Sequence, residues 1–478
     1  MTRLVGREAE KAELRKSLDS TEAELIAVYG RRRVGKTFLV REYFGERLCF
    51  ELTGVHDASL TEQLQNFSFA LGQAMRSPVP LETPANWQQA FQQLITYVES
   101  LPKTGKHVVF LDELPWLASR RSRFMPAFEH FWNAWASRQS HLIVVVCGSA
   151  ASWMINKVIR QRGGLHNRLT RRIRLEPFSL AEASEYLGSR RVHLTPYQTA
   201  ELYMAMGGIP HYLKEVVPGQ SAAQNIDQIC FAKTGLLQSE FHQLYASLFE
   251  DSDRHMRVIR SLARKRRGMT RNEMLSSAGI PTGGGATMLI DELVESGFVK
   301  RVYPFERGKK NALYHLADEY SLFYLSWIEG NRSSGSDIWM KKQRTPAWRA
   351  WSGYAFESLC LKHMPQIKRT LGIEGVETEE SSWCHRAKGE NEKGAQIDLL
   401  IDRRDHCINL CEMKFSEGEF VIDKRYAGEL RNKRDVFQRT TGTRKTIFLT
   451  MVTAFGVKEN AYSRDLVANT IEIESLFT

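Results

Sequence analysis

A short string near the N-terminus carries the residue types that bind a phosphate chain. Residues 30–37 read GRRRVGKT, which follows an apolar strand-like run and opens a helical segment. Gly30 and Gly35 let the backbone curl so that successive N–H groups point at phosphate, and the start of the helix adds a favourable dipole. We expect Lys36 to bridge the β- and γ-phosphates and the Thr37 hydroxyl to hold Mg²⁺. The residues predicted to bind nucleotide here are Gly30, Arg31, Arg32, Arg33, Val34, Gly35, Lys36, Thr37 and Phe38.

Two further strand ends carry groups that nucleotide hydrolysis needs. In VVFLDELPW, we expect Asp112 to hold the magnesium ion through water and Glu113 to activate the attacking water as general base. Ser149 ends the next apolar strand, either as a sensor of the γ-phosphate or as a simple turn residue. A solvated basic loop follows, unless one of its arginines is a finger that contacts the γ-phosphate of a neighbouring subunit. The candidates for that finger are Arg168 first, then Arg171 and Arg172.

A second set of carboxylates, with a lysine, lies near the C-terminus. Asp398 lies in the strand-like run QIDLLI, and Glu412 and Lys414 lie in CINLCEMKF after the short turn RRDH. Alternate residues of a strand share a face, so Glu412 and Lys414 point one way and Cys411 and Met413 the other. On a hairpin, Asp398 and Glu412 would ligate Mg²⁺, while Lys414 would orient or deprotonate a water or stabilise the developing charge.

The elements that must position these groups change in type along the chain. Apolar strand-like runs at 24–30, 107–113 and 141–149 alternate with helical segments, which indicates a doubly wound α/β sheet. Amphipathic helices follow, and then three helices with an extended pair, which is the layout of a winged helix-turn-helix. The predicted domains are a P-loop ATPase core at 1–177, a helical lid at 178–250, the winged helix at 251–318, a linker containing GNRSSGSD at 319–345, and a C-terminal α/β domain at 346–478.

The charge balance favours a polyanionic partner. The chain has 478 residues and a formal net charge of +11, which points to nucleic acid first and to acidic membrane surfaces second, the alternative being a merely basic soluble protein. Basic side chains on the predicted winged helix would suit a phosphate-tracking surface, the alternative being a protein–protein module. They are Arg254, Arg257, Arg260, Arg264, Lys265, Arg266, Arg267 and Arg271 on the first helix and turn, and Lys300, Arg301, Arg307, Lys309 and Lys310 around the wing.

The cysteines and the apolar runs indicate a reducing, cytoplasmic setting. The sequence has 7 cysteines and no CxxC pair. The group Cys384, His385, His406, Cys407 and Cys411 matches no familiar zinc spacing. The N-terminus has no apolar signal segment, and no run reaches the roughly 18 apolar residues of a membrane span, so we expect a cytoplasmic protein without a membrane partner.

Several strings together resemble the archaeal-type ATPases of the AAA+/STAND group of signalling nucleotidases. They are VGRE at 5–8, YGRRRVGKT, LDELPWL, the Gly-Ser strand end, and GGIP at 207–210. The resemblance covers the first half of the chain and continues through the predicted winged helix. It implies that Gly6, Arg7 and Glu8 lie near the adenine and that Gly207 and Pro210 form a nucleotide-sensing contact in the lid. The implied cofactors are ATP and Mg²⁺, and a homo-oligomer through the ATPase domain is a further expected partner.

The D…ExK pattern of the C-terminal part resembles the restriction-endonuclease-like PD-(D/E)XK nucleases. The resemblance implies a further acidic ligand from a helix before the strands, and Glu357 in GYAFESLC is the candidate. The proline of the motif name is absent, because Gln396 and Ile397 precede Asp398. A basic helix after the lysine strand is expected near the phosphate backbone through Lys424, Arg425, Tyr426, Arg431, Lys433 and Arg434.

These observations predict an ATP-binding and ATP-hydrolysing protein that controls a Mg²⁺-dependent DNA nuclease domain. By analogy with this domain pairing, its role would be defence against foreign DNA. The alternative is a signalling or DNA-binding ATPase whose nuclease-like domain is non-catalytic. A transport ATPase has no support, since the sequence contains no LSGGQ-like signature.

Overall fold

The computed structural model describes residues 4–119, 121–159, 167–265, 267–305, 312–331, 337–387 and 393–478. Contacts between residues divide the chain into two compact units, Met1–Pro177 and Phe178–Thr478. Four of the basic residues considered above, Arg266, Arg307, Lys309 and Lys310, lie outside the described residues.

The first unit is built on a parallel sheet. Its strands are Glu24–Tyr29 (β1), Leu48–Thr53 (β2), His107–Asp112 (β3), Leu142–Gly148 (β4) and Arg171–Arg174 (β5). Its helices are Glu8–Asp19 (α1), Lys36–Phe44 (α2), Leu60–Ala74 (α3), Trp87–Ser100 (α4), Leu114–Leu117 (α5), Phe124–Ala134 (α6) and Ala151–Met154 (α7). Neighbouring described strands run in the order β2-β3-β4-β1-β5, and every pair is parallel. The predicted α/β class is therefore confirmed for this unit.

The central strands form because their residues are continuously apolar. Every residue of β4 is buried, as expected for a parallel strand that is covered on both faces. On one side, an aromatic cluster fills the space between helices, and the rings of Phe91 and Phe131 stack at 4.8 Å between centroids. Each fully buried aromatic side chain of this kind contributes about 2–3 kcal/mol to the free energy of folding.

The sequence pattern did not predict the two edge strands. β2 alternates between buried and partly exposed residues, and β5 is RRIR, with Ile173 its only buried residue. Both strands pair on one side within the described sheet. An edge strand lacks the continuous apolar run by which β1, β3 and β4 are recognised.

The second unit begins with helices. They are Leu180–Ser189 (α8), Pro196–Met206 (α9), Pro210–Leu213 (α10), Ala222–Phe231 (α11) and Leu236–Ala246 (α12). Ser179 and Glu182 form a capping box at the start of α8, and Ser221 and Gln224 form one at the start of α11. Each box satisfies backbone N–H groups that have no partner inside the helix, and so fixes where the helix begins.

The next segment combines three helices with a small antiparallel sheet. Its elements are Ser252–Arg264 (α13), Met269–Thr270 (β6), Arg271–Ser277 (α14), Gly284–Glu295 (α15), Val299–Val302 (β7) and Leu313–Leu316 (β8). β8 pairs antiparallel with both β6 and β7, so the described strand order is β6-β8-β7. The helices and the β7–β8 pair occur where the pattern predicts them, and β6 is an addition.

The prediction of a linker over residues 319–345 is wrong for its described part. Glu319–Phe323 (α16) continues into a π-helical turn at Tyr324–Ile328, and Ile338–Lys342 (α17) follows. Tyr320 and Phe323 are fully buried, and the Trp339 side chain is 1% exposed. The prediction of a linker rested on the polar string GNRSSGSD. The aromatic run YSLFYLSW beside it contributes buried side chains to the core.

The last part of the second unit is a mixed sheet with helices. Its elements are Pro346–Lys362 (α18), Met364–Thr370 (α19), Thr378–His385 (β9), Ala395–Arg403 (β10), Cys407–Lys414 (β11), Lys424–Thr441 (α20), Thr446–Thr453 (β12), Ala461–Leu466 (α21) and Asn469–Glu472 (β13). The described strand order is β13-β12-β11-β10-β9, antiparallel between β9, β10 and β11 and parallel between β11, β12 and β13. Throughout the described residues of the chain, no helix is long and apolar enough to cross a membrane.

The chain after β7 reaches the edge of this mixed sheet. Pro304 forms a parallel bridge with Ser382 of β9, and the Phe305 N–H donates to the Ser382 carbonyl at 2.9 Å. The Phe305 ring lies 5.4 Å from the Phe437 ring of α20. Pro304 and Phe305, which follow β7, are thus attached to β9, the edge strand of the described sheet.

Candidate functional sites

The phosphate-binding loop lies between β1 and α2, and its two glycines adopt positive φ angles. Gly30 has a φ of 147°, and a Cβ there would lie 2.2 Å from the Leu175 carbonyl oxygen, so no larger residue fits. Gly35, with a φ of 92°, is the N-cap of α2. The Lys36 side chain is 5% exposed, and its Nζ donates to the carbonyl oxygens of Gly30 (3.1 Å) and Arg31 (2.9 Å). The ammonium group is held inside the loop that would surround phosphate.

Thr37 and Asp112 meet beside this loop. The Thr37 Oγ1 donates to the Asp112 Oδ2 at 2.6 Å, and Asp112 is 3% exposed at the end of β3. Carboxyl ends of parallel strands meet at one edge of a sheet, which explains why residues far apart in sequence come together here. Hydroxyl and carboxylate oxygens are ligands that Mg²⁺ prefers, so these two residues fit a magnesium ion.

Ser149 connects the lysine of the loop with the proposed general base. Its Oγ accepts from the Lys36 Nζ at 3.1 Å and donates to the Glu113 Oε1 at 2.5 Å. Its backbone N–H donates to the Glu113 Oε2 at 3.1 Å. Of the two alternatives for Ser149, this contact with both charged groups favours the sensor over a simple turn residue.

The residues before α1 brace the loop from the N-terminal side. Gly6 and Arg7 both have a φ of 63°. Arg7 is 4% exposed, its Nη2 donates to the Val34 carbonyl at 3.2 Å, and its Nη1 lies 3.5 Å from the Glu10 Oε1. The adenine contact expected of Gly6 and Arg7 stays a prediction. Other expected loop contacts differ in exposure: Arg31 and Val34 are buried, Arg32 and Arg33 half-buried, and Phe38 39% exposed.

The candidate arginine fingers occupy different environments. Arg168 is exposed. Arg171 lies in β5, where its guanidinium is 3.4 Å from carboxylate oxygens of both Glu13 and Glu24. Arg172 is exposed on the same strand. Arg171 and Arg172 therefore lie in a β-strand and not in the basic loop that the sequence suggested. The ion pairs of Arg171 hold β5 beside β1 and occupy its guanidinium, so Arg168 and Arg172 are the exposed candidates for a finger.

The GGIP turn lies in the second unit, between α9 and α10. Gly207 has a φ of 68°, and a Cβ there would lie 3.0 Å from the Glu319 Oε2. A Cβ on Gly208 would lie 2.0 Å from the Phe178 carbonyl oxygen. Position 208 therefore tolerates a larger residue even less than position 207 does. Pro210 is the first residue of α10, where its missing N–H removes no helical hydrogen bond. The nucleotide contact expected of Gly207 and Pro210 stays a prediction.

The acidic residues near the C-terminus lie on adjacent strands. β10 and β11 pair antiparallel with Leu399 opposite Cys411, which brings Asp398 and Glu412 to the same level of the hairpin. The Lys414 Nζ lies 3.7 Å from the Glu412 Oε2, as expected for alternate residues that share a face. The hairpin thus brings Asp398, Glu412 and Lys414 to one end of the sheet.

Glu357 approaches this group from α18. Burial first, and then the charge of Asp398, raise the pKa of the Glu357 carboxyl to about 8, although Lys414 lowers it. Glu412 adds to the rise. Glu357 and Asp398 line the same cavity, and a cation bound there would offset the rise in the Glu357 pKa.

The structure does not bring Glu357, Asp398 and Glu412 together as one set of metal ligands. Glu412 is 2% exposed, and its carboxylate accepts from the Lys433 Nζ at 2.5 Å and from the Tyr426 hydroxyl at 3.1 Å. Among the residues that the structure describes, no group of three His, Cys, Asp or Glu side chains could hold a metal ion. The expected three-carboxylate site is thus incomplete, because a lysine neutralises one of its members.

Three functional contacts were missed or misassigned from the sequence. Lys433 and Tyr426 were expected near a phosphate backbone, whereas both side chains bind Glu412. Their signal was available, since two helical turns separate them and place both on one face of α20. Gln396, two residues before Asp398 on β10, donates from its Nε2 to the Asp398 Oδ1 at 2.8 Å.

In the described part of the chain, five basic residues of the predicted winged helix form ion pairs with acidic residues of the same chain. The Arg260 Nη2 lies 2.8 Å from the Glu329 Oε1, and the Lys265 Nζ lies 2.8 Å from the Glu273 Oε1. Further ion pairs join Arg254 to Asp251, Arg257 to Asp253, and Arg301 to Asp291. Fewer basic side chains are therefore available to bind phosphate than the sequence predicts, because these charges already have acidic partners.

Comparison with known proteins agrees with the geometry of the first unit. Residues 4–216 match a model of an ATPase domain that occurs predominantly in Archaea. The uncharacterized protein MJECL04 of Methanocaldococcus jannaschii is 22% identical over 418 residues, which cover 86% of this chain and 88% of that protein. That similarity extends beyond the ATPase domain.

Two solved structures align with this chain with TM-scores below 0.5. The Walker-type ATPase PABY2304 of Pyrococcus abyssi aligns with a TM-score of 0.48 and 18% identity, covering 68% of this chain and 97% of that chain. The ORC2 protein of Aeropyrum pernix aligns with a TM-score of 0.41 and 13% identity, covering 72% of this chain and 96% of that chain. The loop at 30–37, the Thr37–Asp112 pair and Glu113 all lie within residues 4–216, the part that matches the archaeal ATPase domain.

Proposed function

We propose that the chain binds and hydrolyses ATP in its first unit and that this cycle controls a metal-dependent DNA nuclease in its second unit. One observation carries the nuclease proposal: Asp398, Glu412 and Lys414 lie at one end of an antiparallel hairpin, and Glu357 of α18 lines the same cavity as Asp398. We assign residues 251–318 to a winged helix-turn-helix and residues 346–478 to a PD-(D/E)XK-like domain.

In the ATPase domain, the protein groups exchange partners when nucleotide binds. The γ-phosphate competes with Ser149 for the ammonium group of Lys36, because both are acceptors for the same donor. Once the Ser149 hydroxyl turns to phosphate, Glu113 Oε1 loses that donor and accepts a proton from the attacking water, while the Ser149 N–H still holds Oε2. Thr37 and Asp112 would hold Mg²⁺, which neutralises charge on the β- and γ-phosphate oxygens when bound.

In the second unit, Glu357 and Asp398 would hold the metal ion. A bound Mg²⁺ supplies charge stabilisation and a more acidic water, and Mg²⁺ in proteins commonly uses one or two carboxylates with waters. Glu412 joins these ligands only when Lys433 releases it. Lys414 is 31% exposed, so its ammonium group can donate to a phosphate oxygen that gains charge during cleavage.

A cleavage assay tests this proposal. Purified protein is incubated with supercoiled plasmid, linear duplex, single-stranded DNA and RNA, in Mg²⁺ or Mn²⁺, with and without ATP. We expect metal-dependent cutting of DNA, which Asp398→Asn lowers at least about 100-fold because the amide cannot ligate the cation as the carboxylate does. ATP turnover by Asp398→Asn should equal that of wild type.

Absence of cutting would favour a different class of protein. If wild type cuts no nucleic acid with either metal, the chain is a signalling or DNA-binding ATPase whose C-terminal domain only binds. The ion pair between Lys433 and Glu412 is the observation that supports this alternative, since it already neutralises a buried carboxylate without metal. Both functions share ATP turnover, so only the cleavage assay separates them.

We expect control of the nuclease to pass through packing contacts within the second unit. Tyr197, near the start of α9, stacks on Phe415 with ring centroids 4.6 Å apart and planes at 7°. Phe415 directly follows Lys414 in the chain. Phe455, after β12, lies 5.1 Å from the same tyrosine ring. The lid helix therefore packs against the strand end that carries Lys414.

The other end of α9 leads to the helix that carries Glu357. The GGIP turn at Gly207 lies against the buried carboxylate of Glu319, which forms an ion pair with Lys362 of α18 at 2.6 Å. At the end of α18, the buried His363 accepts a hydrogen bond through Nε2 from the Leu180 N–H of the lid at 3.0 Å. A shift of α9 would therefore move both sides of the proposed nuclease site.

Tyr197→Ala should weaken the response of cleavage to ATP. Loss of an aromatic pair costs about 0.5–1.5 kcal/mol of coupling, so the ratio of cleavage rates with and without ATP should fall about twofold to thirteenfold. Tyr197→Phe keeps the ring and should behave as wild type, and ATP turnover should be preserved in both variants. An unchanged ATP response in Tyr197→Ala would show that control does not pass through this contact.

A further inference from the structure

A cleft of about 790 Å³ lies in the second unit beside the proposed nuclease site. One wall comes from the β6-β8-β7 sheet and the turn before it, and includes Arg267 and Lys300. The opposite wall comes from α18, β9 and β10, and includes Glu357 and Asp398. The same cavity therefore joins basic side chains of one segment to the acidic groups of another.

The walls of this cleft are fixed to each other. The hydrogen bond from Phe305 to Ser382 joins the end of β7 to β9. The Lys300 Nζ donates to the Leu361 carbonyl at 3.2 Å, near the end of α18. These contacts attach the β7 side of the cleft to both elements of the opposite wall, so the cleft is part of the packed unit.

The lining combines positive charge with aromatic rings. Arg267 and Arg386 are exposed, on the two opposite walls. Tyr354 supplies a half-buried ring on the α18 wall, whereas Trp383 also lines the cleft but is 8% exposed and packs against Phe437 in the core. Proteins that bind single-stranded nucleic acid combine basic side chains along the backbone with rings on which bases stack.

The volume of the cleft suits an unpaired strand. At about 790 Å³, it falls within the roughly 300–1,000 Å³ of pockets that take one drug-sized ligand. A short unpaired segment with its bases turned aside matches a pocket of that class, whereas a duplex brings a paired second strand with it.

We propose that this cleft admits a single-stranded nucleic-acid segment, which passes between Arg267 and Arg386 before it reaches Glu357 and Asp398. The inference rests on the proposed nuclease function for what happens to the strand, but the binding step stands independently of cleavage. A duplex would be engaged only at a frayed end or at an unpaired flap.

Binding is measured by fluorescence anisotropy in EDTA, with Asp398→Asn as the parent protein so that no cutting occurs. The probes are a labelled oligothymidine and a labelled duplex of the same length with blunt ends. We expect tighter binding of the single strand, which Arg267→Glu and Arg386→Glu each weaken at least about tenfold through lost phosphate contacts. The salt dependence should become shallower by about one counterion for each lost contact.

The control is Arg464→Glu, because Arg464 is 70% exposed in an ion pair with Glu459 and does not line the cleft. It should leave single-strand binding within about twofold of the parent. Equal affinity for duplex and single strand, or affinity unchanged by both cleft variants, would overturn the inference. Cleft-dependent binding without cutting by wild type would refute the nuclease function alone, and cutting without cleft-dependent binding would refute the cleft alone.

Discussion

Replacing Lys36 with alanine is expected to abolish ATP turnover and to weaken ATP binding. The Lys36 ammonium is buried between the carbonyl oxygens of Gly30 and Arg31 and the Ser149 hydroxyl. Without it, the two carbonyl oxygens would face phosphate with no cation between them, which is repulsive in a site with little water. We expect turnover to fall at least about 100-fold in a phosphate-release assay, because Lys36 contacts the charge that develops during transfer.

Glu113→Gln separates hydrolysis from binding and serves as the matched comparison. The amide keeps the shape of the side chain, since its oxygen can accept from the Ser149 N–H and its NH₂ can donate to the Ser149 hydroxyl oxygen, but it cannot accept a proton from water. We expect ATP affinity close to wild type with turnover lowered about 100-fold or more. Circular dichroism would establish that both variants are folded. Normal turnover by Lys36→Ala would place ATP hydrolysis at another site.

The ATPase site was predictable because its information is local. Gly30, Gly35, Lys36 and Thr37 lie in one string, and the backbone angles of the two glycines follow directly from the loop. The contact between Thr37 and Asp112 needed one further step, the rule that carboxyl ends of parallel strands share an edge. No rule of that kind predicts that Ser149 contacts both Lys36 and Glu113. The sequence predicted only that this serine lies near the phosphate.

The second site was less predictable because its decisive contacts are tertiary. Alternation along β11 correctly placed Glu412 and Lys414 on one side. It could not show that Lys433, on a helix after the strand, would take up the Glu412 carboxylate. A basic helix has the same sequence pattern whether its charges face phosphate or a buried acid, and only packing of α20 on the sheet decides between these outcomes.

The prediction of a linker over 319–345 was wrong for a related reason. A polar string rich in Ser and Gly predicts a loop wherever it occurs, but the residues on either side of it contain Tyr320, Phe323 and Trp339, which are buried. The large apolar area of these aromatic side chains stabilises the core, and the short polar string beside them does not prevent their burial. Composition averaged over 319–345 therefore hid an element that packs into the core of the second unit.

The second large effect concerns the two lysines that contact Glu412. The Lys414 Nζ lies 3.7 Å from one carboxylate oxygen and 5.4 Å from the centre of the Tyr426 ring, and it is 31% exposed. The Lys433 Nζ lies 2.5 Å from the other oxygen. Lys414 can reach a bound phosphate because it is partly exposed, whereas Lys433 is committed to the carboxylate.

Lys414→Ala should therefore abolish DNA cleavage, with a loss of at least about 100-fold, while binding of Mn²⁺ stays close to wild type. Lys433→Ala should instead tighten Mn²⁺ binding, because it removes the cation that competes for Glu412. Calorimetric titration of the metal and a plasmid-nicking assay would measure the two effects separately. The reverse order, in which Lys433→Ala abolishes cleavage and Lys414→Ala leaves it intact, would transfer the catalytic role to α20. Equal metal affinity in wild type and Lys433→Ala would exclude Glu412 as a ligand, and the metal would then rest on Glu357 and Asp398 alone.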